Sequence, residues 1–128
     1  MKRSLFLLIS ALLAWLFGIT MMFAPEKMLA NLTAGTGTAT EPVMQWVGVG
    51  LFSIGCINFF GRNDTGSPAL KGILTGNLLL HIIGMGFDLC DYARGFMNSA
   101  GLSMGIVVHS LLIIGFGYYL VKMPKAQA

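Results

Sequence analysis

The run SLFLLISALLAWLFGITMMF, from Ser4 to Phe23, holds 20 residues without one charge. A helix rising about 1.5 Å per residue needs roughly 20 apolar residues to cross a hydrocarbon core of about 30 Å. Three further runs follow the same rule: Pro42 to Gly61, Ala69 to Asp88 and Leu102 to Val121. They are continuous rather than alternating, and each is about twice the length of a barrel strand. The sequence therefore predicts an all-α integral membrane protein. Short connections make consecutive helices antiparallel neighbours, so residues 1–128 read as a single four-transmembrane-helix antiparallel bundle.

Composition agrees. The chain is 55% hydrophobic and 10% charged, where soluble domains carry about a quarter charged residues. So few charges cannot cover a water-facing surface, and the first partner implied is the lipid bilayer. The net charge of +3 is scattered between apolar runs, with no basic cluster or interleaved aromatics to suggest nucleic acid. Lys2 and Arg3 before Leu5 to Trp15 resemble the start of a secretory signal peptide. The apolar stretch outruns the usual core of one, however, and no small-x-small site precedes Pro25. A first transmembrane helix is the better reading.

Lys and Arg counted by side set the orientation. Lys2, Arg3, Arg62, Lys71, Lys122 and Lys125 fall on one side, and Lys27 and Arg94 on the other. Both termini are expected in the cytoplasm, which suits a bacterial inner membrane. Pro25 to Leu32 reads as a short interfacial helix with proline at its start. Thr33 to Thr40 read as a flexible outer loop, and Asn63 to Pro68 as a dense turn. Cys56 and Cys90 lie about 20 Å apart in depth, too far for a disulfide, and read as buried structural thiols.

Small residues recur where helices could touch. Ser10, Ala14 and Gly18 stand at four-residue spacing on the first helix. Gly48, Gly50 and Gly55 offer a small surface on the second, Gly84 on the third, and Gly101, Gly105 and Gly117 on the fourth. Such residues let backbones approach in lipid, where no hydrophobic effect drives helices together.

Polar side chains at membrane depth are costly and usually have a task. Asn77, His81 and Asp88 share one face of the third helix, and His109 shares the stripe of Gly101 and Gly105. Each histidine lies seven residues from the outer end of its run, so both stand at one depth, about 10 Å from that end. Two imidazoles at one level on neighbouring helices have two readings. Each hydrogen-bonds within the bundle, or both face a ligand-binding site for a haem, another His-ligated pigment, a metal, a quinone or a lipid. Asp88 and Asp91 flank the outer mouth, either as the start of a proton path toward His81 or as solvated residues balanced by Arg94. Asn58 reads as a helix-packing hydrogen bonder, and the nine Met and nine Phe as lipid-facing and gap-filling residues. No phosphate-binding loop, nucleophile elbow or His-Glu-x-x-His motif is present, so a hydrolase or ATP-driven role is not expected and no catalytic residue is assigned.

The stretches Phe23-Ala24-Pro25-Glu26-Lys27, Gly48-Val49-Gly50-Leu51 with Gly55 and Asn58, Gly76-Asn77 to His81 and Gly84 to Asp88-Leu89, and Val108-His109 to Gly115-Phe116-Gly117-Tyr118 resemble small bacterial four-helix proteins of the DoxX-like kind. The resemblance implies the fold and a loose association with membrane redox complexes and thiol or sulfur metabolism. Two functions are expected: an accessory or structural subunit docking on a larger energy-transducing or redox membrane complex, through other membrane subunits or self-association, or a bundle holding a small ligand between His81 and His109.

Overall fold

The computed structural model describes residues 1–32 and 40–123, so the outer loop read across 33–39 and the last five residues lie outside it. Five helices make up the described chain: α1 (Arg3–Phe23), α2 (Pro25–Leu32), α3 (Thr40–Gly61), α4 (Pro68–Ala93) and α5 (Ser99–Val121). All but α2 are long and apolar enough to cross a membrane.

Local chemistry explains the boundaries. α1 stops at Ala24, and Pro25 opens α2, where its missing N–H costs nothing. Ser67 caps α4 by accepting from the Leu70 N–H at 3.2 Å, with Pro68 in the first turn. The Asp64 carboxylate holds the preceding turn through the N–H groups of Gly66 (2.8 Å) and Ser67 (2.9 Å). Gly66 sits there at φ 131°, a conformation that favours glycine.

Three expected boundaries shift by more than one residue. The helix expected over Ala69 to Asp88 runs on to Ala93, because nothing breaks it before Gly95 at φ 76°. Asp91 therefore belongs to α4 and not to the connection after it. The helix expected from Leu102 starts at Ser99, since Asn98 caps it by accepting from the Gly101 N–H at 2.8 Å. The helix expected from Pro42 begins at Thr40.

Helix packing is most intimate between α1 and α3 and between α4 and α5. Gly18 and Gly48 face each other so closely that a Cβ on either would lie 2.7–2.8 Å from the other's carbonyl oxygen. Further along, Gly55 receives the Trp15 ring and Ser10 meets Asn58. On the other pair, Gly105 meets Asp88, Gly84 meets His109, and Gly117 meets Leu78. Gly50 lies against nothing within 4 Å, so the small surface expected on α3 reduces to Gly48 and Gly55.

The core sits at one end, where Phe6, Leu7, Leu70, Leu74, Leu112 and Phe116 pack together. Phe6 meets Phe116 edge-on at 4.8 Å between ring centres. These two phenylalanines are core residues, on the gap-filling side of the reading given to the phenylalanines. The same end ties Arg3 to the Asp64 carbonyl and the Tyr119 hydroxyl to the Met1 carbonyl (2.6 Å). At the other end, Asn98 joins α2 to α5, donating from its backbone to the Leu32 carbonyl (3.1 Å) and from its side chain to that of Asn31 (3.0 Å).

The outward surface carries large apolar side chains such as Trp46, Phe60, Phe87, Leu111 and Ile114. Cys90 is exposed on the face of Ile83 and Phe87, and Cys56 is only partly buried; both thiols are free. The buried-thiol reading is thereby corrected. The phase of α4 turns Cys90 outward with its apolar neighbours.

Candidate functional site

Two polar clusters lie inside the apolar molecule, one above the other on α4. The lower one is an amide pair. Asn58, 0% exposed, donates from Nδ2 to Asn77 Oδ1 (3.0 Å) and to Ser10 Oγ (3.1 Å). Asn77 returns a bond from Nδ2 to Asn58 Oδ1 (2.9 Å) and gives another to the Ile73 carbonyl (2.8 Å). Both Nδ2 groups thus spend their two hydrogens within the protein, and the pair stitches α1, α3 and α4 together. Asn77 shares the helical face of the histidines, but its amide is committed to Asn58 and Ile73. Ser10 is small enough for a close helix contact, and its hydroxyl also accepts a bond.

One turn along α4 lies the histidine pair. His81 Nδ1 and His109 Nδ1 stand 2.9 Å apart, a hydrogen-bond distance. His81 is 8% exposed and stacks on the Phe116 ring at 5.8 Å and 18°. Phe116 is a residue that sequence reasoning missed, because an aromatic in an apolar helix carries no signal of what it lies under. His109 Nε2 lies 3.4 Å from Asp88 Oδ2, within ion-pair distance but loose for a hydrogen bond. Asp88 thus meets His109 directly, rather than opening toward His81 or resting on Arg94.

Glycines make the room. A Cβ on Gly84 would lie 2.9 Å from His109 Cε1, and one on Gly105 would overlap the Asp88 carboxylate. Each helix of the pair therefore offers a glycine opposite the other's polar side chain. Gly101 serves in the same way beneath the Leu32 carbonyl, 2.5 Å from where its Cβ would be.

Beside the histidines opens a cavity of about 190 Å³. It follows α5 from Gly101 to Leu112, about 16 Å at 1.5 Å per residue. Its walls are mostly apolar, among them Leu13, Ala14, Phe17, Leu51 and Val108, and its polar lining comes from Ser10, Asn77, His81, Asp88 and His109. The space lies beside the imidazole pair and not between its members.

That geometry bears on the ligands expected of two histidines. A metal gripped by both nitrogens, at roughly 2 Å per bond, would hold them about 4 Å apart across a haem plane, wider than the 2.9 Å contact observed. The pair as it stands does not fit an iron between its rings. Among the described residues, no group of three or more His, Cys, Asp or Glu side chains is arranged to hold a metal ion.

No family model, curated protein or solved structure matches this chain.

Proposed function

We propose that this chain is a membrane-embedded binding protein for a small, largely apolar molecule, held in the cavity beside His81 and His109. The observation that carries the reading is the lining of that cavity. A few polar groups converge in a mostly apolar space of about 190 Å³, the usual make-up of a small-molecule site. Imidazoles at membrane depth are costly and mark functional sites, and both His81 and His109 line this space. The reading takes the four long helices as an antiparallel bundle crossing a bacterial inner membrane with both termini in the cytoplasm, as the charge asymmetry suggests and as the likeness to DoxX-like proteins implies. A reporter fused after Ala128 that is active only outside the cytoplasm would reverse that orientation.

The test is extraction. The protein purified in mild detergent should yield a small amphiphile by mass spectrometry, and an Ala14→Phe variant, which fills the cavity, should yield none. Identical extracts from both would remove the proposal.

A second reading, an accessory subunit docking on another membrane helix, is favoured by a separate observation. Gly72 and Gly76, four residues apart on α4, have nothing within 4 Å of where a Cβ would stand. They line a hollow between α3 and α4 together with Ile54 and Ile57. Small residues at that spacing suit a close helix approach in lipid. Under this reading Gly76→Leu leaves the fold intact and abolishes association with a partner or a second copy; unchanged association would count against it.

A further inference from the structure

We infer that the cavity selects a small apolar molecule, about the size of one substituted ring, that bears a hydroxyl hydrogen-bond donor, and that Asp88 sets this preference through His109 and His81. The inference rests on the ligand-binding reading above and assigns the chemical class that the site takes.

We take the Asp88 carboxylate, whose side chain is 18% exposed near the outer end of α4, as charged and both imidazoles as neutral; a neutral imidazole has one N–H and one bare nitrogen. The 2.9 Å contact joins two Nδ1 atoms, so one of them must carry a proton and the other must be bare. The choice is made at the far side of His109. There the Asp88 carboxylate lies 3.4 Å from Nε2, where it attracts an N–H and repels a lone pair. His109 therefore holds its proton on Nε2 and turns a bare Nδ1 to His81. His81 must then donate from its own Nδ1, which leaves its Nε2 without a proton. The nitrogen it offers is an acceptor.

His81 lines the cavity. Its Nε2 has no hydrogen-bond partner among the described residues. Nor is it sealed away: among the described residues, the sealed, unpartnered polar side-chain atoms are Arg3 Nε and Trp15 Nε1. The titratable lining of the cavity consists of His81, Asp88 and His109, so no other ionisable side chain in the lining competes to complete the acceptor. A ligand hydroxyl does so; a carbonyl or ether oxygen meets it lone pair to lone pair. Size supplies the second criterion. An engineered cavity of about 150 Å³ holds benzene, so about 190 Å³ takes one ring with a short substituent.

The experiment compares p-cresol with p-methylanisole, its methyl ether, for binding to the protein in nanodiscs, each corrected for partition into empty nanodiscs. The expected result is tighter binding of the phenol by about tenfold, the scale of one hydrogen bond. In Asp88→Asn, whose amide can either donate to or accept from His109, the preference should fall toward unity while both rings still bind. Equal binding of phenol and ether by the native protein would overturn the donor preference and leave the cavity reading standing. Binding of neither would overturn both. Histidine ¹⁵N spectra give an independent readout: the proton is expected on Nδ1 of His81 and Nε2 of His109, and the reverse pattern would overturn the inference whatever the affinities.

Discussion

At the residue scale, Asn58 shows how much one side chain can hold. Its amide satisfies Ser10 and Asn77 at once, and lipid offers neither of them a substitute. Asn58→Leu keeps the branched shape and strands both, so stability should fall by about 1–2 kcal/mol, the upper range for membrane hydrogen bonds. Adding Asn77→Leu should cost less than the sum of the single changes, since the same bonds are already gone. Additive losses in unfolding measurements would show that the amides act separately. A second case lies in the turn before α4. There the Ser67 hydroxyl and the N–H groups of Ser67 and Gly66 hold the Asp64 carboxyl down from 3.8 to about 2. A folded pKa below the unfolded one stabilises the fold above pH 3.8, and that contribution is lost as pH falls through about 2. The melting temperatures of the native protein and Asp64→Asn should therefore differ at neutral pH and converge in strong acid. A gap that does not change with pH would mean that the charge plays no part.

At the element scale, helices were legible and their partners were only partly so. Runs of apolar residues long enough to span a membrane announce themselves, and Pro25 and Pro68 mark two of the starts. The end of α4 and the start of α5 lie beyond their apolar runs because hydropathy falls off before helical geometry does: Leu89 to Ala93 continue a helix whose apolar run has already met Asp88. Equal depth brought His81 and His109 into view, since both depend on helical rise alone. The Phe116 stack and the Asn58–Asn77 pair depend on how whole helices rotate against each other, which periodicity in an almost uniformly apolar sequence does not encode. The glycine opposite each polar side chain makes that rotation testable. Gly84→Leu should displace the His109 ring and lower stability, because a Cβ alone would already come within 2.9 Å of it. Combined with His109→Ala, the same change should be largely tolerated. A double variant as damaged as the two losses added together would mean that Gly84 serves something other than the ring.

For the whole molecule, the decisive feature is that the chain packs most intimately within two pairs, α1 with α3 and α4 with α5. Between the pairs run a few long-range ties: the Asn58–Asn77 amides, the Arg3 contact at the Asp64 carbonyl, and Phe6 against Phe116. Each pair lies within one half of the sequence, so each half is expected to close on itself as a helix pair. The halves need not be one polypeptide. Residues 1–63 and 64–128 made as separate chains in the same membrane should find each other and restore the native fold, as read by energy transfer between labels on the two fragments. Asn77→Leu in the second fragment should weaken that reunion while leaving its own hairpin closed. Fragments that stay apart would show that the covalent turn, and not the interface, brings the halves together.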